Sequence, residues 1–131
     1  MNYKEIAQNS IANFLKGDVN AILNVLDENV EWINPDAPEV PVAVSVKGKN
    51  NVPKFFSAVA ETVDISRFEI NNYIAEGPKV VGWGSYDAKV KSTGKSFTTP
   101  LIMTWEFNPQ GKCVKWQGYT NTSAQAKAFA K

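Results

Sequence analysis

The titratable side chains of this 131-residue chain are 13 Asp and Glu, 14 Lys and Arg, 4 Tyr and a single cysteine, Cys113; there is no histidine. Without histidine, no Ser–His or Cys–His nucleophile pair can form within the chain, and His-ligated zinc or iron is excluded. The side chain most often used as acid or base near neutral pH is missing as well. One cysteine permits neither an internal disulfide nor a thiolate cluster, so no metal site and no cofactor is expected. With no base to activate it, Cys113 reads as a buried, inert thiol. Any acid–base chemistry must come from Asp, Glu, Lys, Tyr, Cys113 or a cofactor, and the sequence itself indicates no cofactor.

The formal charge is +1, with 44% hydrophobic and 21% charged residues. That composition is globular and carries no electrostatic footprint for nucleic acid or an anionic membrane. Met1–Lys16 contains Lys4, Glu5, Gln8 and Asn9, so it lacks the apolar stretch of a signal peptide, and no run approaches the roughly 18 apolar residues of a membrane span. The expectation is one cytoplasmic domain over residues 1–131.

The elements that must position any site follow from spacing. Apolar residues at Tyr3, Ile6, Ala7, Ile11, Phe14 and Leu15 predict an amphipathic helix over Asn2–Lys16. Gly17 stops it and Asp18 caps a second helix over Val19–Asp27. Val30–Asn34 predicts a strand, and Pro35, Pro38 and Pro41 make the next stretch to Lys49 irregular. A third helix carries Phe55, Phe56, Val59, Ala60 and Val63. Long strands follow at Ile65–Ala75, Lys79–Lys91, Phe97–Phe107 and Lys112–Thr122, with a bulge or a locally unpaired stretch expected at Pro100. Ser123 is expected to cap a short terminal helix. The order ααβαβββα argues an α+β fold: a curved antiparallel sheet with helices on one face, forming a cone with a cavity at its mouth.

Several segments in this order resemble one family. They include Phe14-Leu15-Lys16-Gly17-Asp18, Leu26-Asp27-Glu28-Asn29-Val30-Glu31-Trp32 with Pro35, and Gly48 before a Phe-Phe helix. Glu76-Gly77, Thr93-Gly94-Lys95, Gly111-Lys112 and the closing Gln117-Gly118-Tyr119-Thr120-Asn121-Thr122 complete the pattern. Together they resemble the SnoaL-like and ketosteroid-isomerase-like proteins of the nuclear transport factor 2-like superfamily.

The resemblance implies where catalytic groups would stand. The isomerase branch's general-base aspartate falls on Asn34, its phenol donor on Ser10 and its protonated carboxylic acid on Met103. The cyclase branch's closing-strand aspartate falls on Asn121. An amide cannot take a proton at neutral pH, and Met103 offers no donor for an enolate oxygen. These positions argue against isomerase-type proton transfer.

Strand parity then gives a candidate ligand-binding face. If Asn34 points inward, so does Trp32; if Met103 does, so does Trp105; if Asn121 does, so does Tyr119. The resemblance adds Tyr86. The set is therefore Trp32, Asn34, Tyr86, Met103, Trp105, Tyr119 and Asn121. Glu31, Asp87 and Glu106 take outward parity, and Asp36 and Glu39 sit in the proline-rich loop. Trp83, Ile102, Thr104, Val114 and Trp116 fall on the opposite sheet face, an apolar surface that relatives pair into a homodimer. The expected function is a pocket for a small apolar or aromatic ligand without the usual acid/base carboxylates. The alternative is an isomerase, cyclase or hydrolase-type enzyme acting on a polyketide-, steroid- or terpene-like molecule.

Overall fold

The computed structural model describes all 131 residues. Helix α1 spans Tyr3–Leu15, with Asn2 Oδ1 accepting from the Glu5 amide at 3.0 Å. Gly17, at φ 75°, supplies the left-handed residue that ends it. Asp18 then caps α2, Val19–Leu23, by accepting from the Ala21 amide at 3.1 Å. Helix α2 is shorter than its apolar spacing predicts, because Leu26 already belongs to the first strand.

Strand β1 is Leu26–Ile33, β2 is Val46–Lys47 and α3 is Pro53–Thr62, preceded by one 3-10 turn at Lys49–Asn51. Pro53 stands in the first turn of α3, where its missing N–H is harmless. The four long elements are β3 (Val63–Glu76), β4 (Lys79–Val90), β5 (Ser96–Phe107) and β6 (Cys113–Thr120). Helix α4, Thr122–Phe129, follows.

All six strands form one sheet in the order β2-β1-β6-β5-β4-β3. The α+β cone is as expected, but the sheet is mixed: β1 lies parallel to β6, and every other pair is antiparallel. Strand β2 is a two-residue addition inside the stretch expected to be irregular. Register shifts interrupt β3 between Ile65 and Arg67 and between Ile70 and Asn72, and such bulges bend a strand and increase its twist.

Of the two arrangements expected at Pro100, the structure has the locally unpaired one and no bulge. Pro100 pairs in register with Ser85. Strand β6 pairs with β5 only from Leu101 onward, so β5 has lost one neighbour there and tolerates a missing amide.

The inner face of the sheet is clearest in β5. Phe97, Thr99, Leu101, Met103, Trp105 and Phe107 alternate inward and are all buried. Helix α1 covers β3 and β4, and α4 covers β4 and β5. No helix is long and apolar enough to cross a membrane.

Candidate functional site: an apolar cavity with few polar groups

The concave face encloses a cavity with about 100 Å³ of free space, of the same order as cavities of about 150 Å³ that hold a single aromatic ring. Of its 26 lining residues, 21 are hydrophobic, and none is Asp, Glu, Lys or Arg. Its uncharged polar side chains are Ser10, Asn34, Thr120 and Gln125, with the Tyr86 phenol and the Trp32 indole among the aromatic walls.

Trp32, Asn34, Tyr86, Met103 and Trp105 line this cavity. Tyr119 and Asn121 do not. Tyr119 is 44% exposed on the outer face. Asn121 is the N-cap of α4, its Oδ1 accepting from the Ala124 amide at 3.1 Å. Asn121 closes the strand as a cap, so it cannot set the strand's parity. Trp116, expected outside, is inside and 4% exposed. Alternation counted back from Asn121 puts Trp116 outside, but the inner series is Thr120, Gly118 and Trp116, opposite Leu101, Met103 and Trp105. A bulge then leaves Val114 extra, since Glu106 pairs with Lys115 and Phe107 with Cys113, so that Cys113 is buried as well. Beyond it Trp116, Gly118 and Thr120 face inward, and Gln117 and Tyr119 face away.

Asn34 both lines the cavity and ties down its rim. Its Nδ2 donates to the Val44 carbonyl at 2.7 Å, and its backbone N–H donates to Ser45 Oγ at 2.8 Å. These bonds hold the proline-containing segment against the end of β1. Gly118 sits beside it: a Cβ there would lie 2.8 Å from Trp116 Cη2 and 3.3 Å from Asn34 Oδ1. The glycine leaves room for both.

At the matched isomerase positions, Ser10 and Met103 both line the cavity, as Asn34 does. No carboxylate replaces the absent acids. The two titratable groups in the lining are Tyr86 and Cys113. Burial pushes the Tyr86 hydroxyl up to about 12, the hydrogen bond from Gln125 opposing it. Burial likewise pushes the Cys113 thiol up to about 12, against its hydrogen bonds to the backbone at Lys115 and Glu106. Both stay protonated at neutral pH. Tyr86 is a donor there rather than a base, and Cys113 is not a nucleophile.

Three contributors were missed by sequence reasoning: Trp116, Thr120 and Gln125. Gln125 is 1% exposed. Its Nε2 donates to Tyr86 Oη at 2.8 Å, and Thr120 Oγ1 donates to its Oε1 at 2.7 Å. A signal was available. Gln125 precedes Ala128 and Phe129 by three and four residues, so it shares the apolar face of α4 and must find partners there. Trp32 Nε1 is the one buried side-chain polar atom with no hydrogen-bond partner.

The outer carboxylates serve the sheet. Asp87 accepts from Arg67 Nε at 2.8 Å, Arg67 Nη2 at 3.0 Å and Thr98 Oγ1 at 2.7 Å, linking β3, β4 and β5. These bonds, the Arg67 pair foremost, hold the Asp87 carboxyl down at about 2.

Solved structures share the whole fold. An NTF2-like protein from Burkholderia xenovorans is 27% identical, with a TM-score of 0.86 over 98% of this chain and 95% of that one. An NTF2-like protein from Burkholderia thailandensis is 23% identical, with a TM-score of 0.89 over 100% of this chain and 99% of that one. TerC, crystallised with polyporic acid, is 20% identical, with a TM-score of 0.81 over 97% of both chains. No curated protein matches significantly in sequence. The SnoaL-like domain profile matches residues 7–116, most of the chain and nearly all of the sheet that builds the cavity, and the protein belongs to the SnoaL-like family.

Proposed function

We propose that this protein binds a small, neutral, apolar or aromatic molecule in the cone and does not itself run proton-transfer chemistry on it. The observation that carries this reading is the lining: 21 of 26 residues are hydrophobic and no side chain is charged. A carboxylate or ammonium entering such a site would lose its hydration with no ion to pair with. A neutral ring would gain burial and aromatic contact. The co-crystal of TerC with polyporic acid supports small-molecule binding by this fold. The ligand-binding set becomes Trp32, Asn34, Tyr86, Met103 and Trp105, joined by Trp116.

The outer face supports a homodimer. Trp83, Ile102 and Tyr119 are consecutive cross-strand neighbours on β4, β5 and β6, with Ile102 43% and Tyr119 44% exposed. An apolar row of this kind across the middle of a sheet suits a self-complementary two-fold contact.

Trp32, Trp105 and Trp116 all line the cavity, so their fluorescence reports on its contents. Indane should quench it in a saturable titration, and indane-1-carboxylate should not. Equal or tighter binding of the carboxylate would overturn the reading. In heavy water, the protein should not accelerate deuterium exchange next to the carbonyl of 1-indanone above the buffer rate. Acceleration that is lost in Asn34→Ala would favour the enzyme instead.

A further inference from the structure

The cavity contains one phenol whose hydrogen-bonding role is set from behind. Thr120 ends β6, and its hydroxyl donates to Gln125 Oε1 at 2.7 Å. The amide is thereby seated with Nε2 toward Tyr86, and it donates to Tyr86 Oη at 2.8 Å. The phenol oxygen is the acceptor of that bond, so its own proton is committed to no protein atom. Tyr86 is 8% exposed and Gln125 1%. Against the Tyr86 ring stand those of Phe68 and Phe97, with centroids 5.9 and 5.7 Å from its own. A buried O–H without an acceptor is costly, and a ligand oxygen would relieve that cost.

We propose that Tyr86, seated by Gln125 and Thr120, is the specificity-determining donor of the cavity, and that its ligand is a neutral aromatic compound bearing a carbonyl oxygen. This rests on the reading of the cone as a ligand site and adds a polar requirement to it. Tyr86 reads the ligand oxygen; Gln125 and Thr120 are positioning residues that act through it.

The test compares two ligands of one skeleton, 1-indanone and indane, which differ by a carbonyl in place of a methylene. Affinity is read by tryptophan quenching, and the carbonyl of bound 1-indanone by infrared spectroscopy. Tyr86→Phe should weaken 1-indanone by about five- to tenfold, the loss of one net hydrogen bond. It should leave indane within about twofold, which also shows that the cavity is intact. The bound carbonyl stretch should move to higher frequency in Tyr86→Phe. Thr120→Val should move affinity and frequency part of the way, and Thr120→Ser should restore both. Equal effects of Tyr86→Phe on the two ligands, with an unchanged carbonyl frequency, would overturn the proposal alone; Tyr86 would then donate to a reversed Gln125 amide. Failure of the wild-type protein to bind either ligand would overturn the ligand-site reading and the proposal with it.

Discussion

Trp32 and Trp116 are direct partners across the parallel β1–β6 pair, and their rings stack with centroids 4.1 Å apart and planes 16° from parallel. Phe55 of α3 packs on both, at 5.7 and 5.9 Å. The stack joins the β1–β6 pairing to the wall of the cavity: the same two side chains pack across the strand pair and line the cone.

Trp116→Ala should therefore cost about 3–5 kcal/mol of stability, in the range for deleting a buried aromatic ring. The aromatic pair itself accounts for about 0.5–1.5 kcal/mol of this beyond its buried area. Chemical denaturation checks the magnitude. Circular dichroism checks the geometry, because closely stacked indoles give an exciton couplet that either Trp32→Phe or Trp116→Phe should abolish. Retention of the couplet in both variants would place its origin elsewhere.

That stack also marks where the sequence stops being readable. Strand β5 shows its inner face without ambiguity, because six alternate positions from Phe97 to Phe107 are uninterrupted. Strand β6 does not, because alternation counted from Asn121 starts one residue off the inner series of Thr120, Gly118 and Trp116, and because the extra residue at Val114 lets Cys113 and Trp116 both be buried. Asn121 misleads in the same way: an asparagine after a strand suits a pocket contact and a helix cap equally, and the cap wins once Ala124 offers its amide. The pairing of Trp32 with Asn34 was legible, because alternation between them at the end of β1 is unbroken, and both line the cavity. The partner of Tyr86 was not, since Gln125 is 39 residues away in the chain.

Asn34→Asp restores the carboxylate of the isomerase branch in name, yet it should lose stability rather than gain a base. The Asn34 Nδ2 donates to the Val44 carbonyl, and an ionised carboxylate would present lone pairs to that oxygen. The expected loss is about 1–3 kcal/mol at neutral pH. Once protonated, the introduced carboxyl could donate to the Val44 carbonyl, so its folded pKa should lie above the ordinary unfolded value of about 3.9. The variant should then approach wild-type stability below pH ~4 and fall behind as pH rises through the folded pKa. Denaturation on either side of that pKa, in acid and at neutral pH, decides it, and an equal deficit at both would contradict the argument.

Alkali should unfold the protein through its buried acids. Cys113 and Tyr86 are both held at about 12 when folded, against ordinary values of 9.0 and 10.0. The unfolded chain ionises first, so their contribution is complete below pH ~9 and is lost as pH rises toward about 12. Unfolding midpoints measured from about pH 8 to about pH 11 should decline, beginning near pH ~9. Cys113→Ala should flatten the first part of that decline while lowering stability at the start of the series. A Cys113 thiol that reacts rapidly with a disulfide reagent in the native state would refute its burial.

Asp87 acts at the other end of the scale and with the opposite sign. Its carboxyl is held at about 2 against an ordinary 3.8, so its contribution is present above pH ~4 and is lost as pH falls toward about 2. Asp87→Asn keeps a side-chain acceptor for Thr98 or Arg67 but removes the charge. It should be less stable than wild type near neutral pH, and the difference should shrink between about pH 4 and about pH 2. A constant difference across that window would show that packing, not the Arg67 pair, accounts for the effect.

The outer face supplies the last prediction. Trp83, Ile102 and Tyr119 form one row across three neighbouring strands, and Ile102 at its centre is 43% exposed. Placing a charge there should not disturb the fold, because the side chain is not part of the inner packing. It should disturb a two-fold contact twice over, since a symmetric interface that uses Ile102 on one copy can place it against the same patch on the other. Sedimentation of the wild-type protein at micromolar concentration should show a dimer. Ile102→Glu should raise the dissociation constant at least about tenfold, the equivalent of ~1.4 kcal/mol, with an unchanged circular dichroism spectrum. A wild-type monomer at that concentration would remove the outer face as an interface, and a dimer untouched by Ile102→Glu would move the interface to another surface.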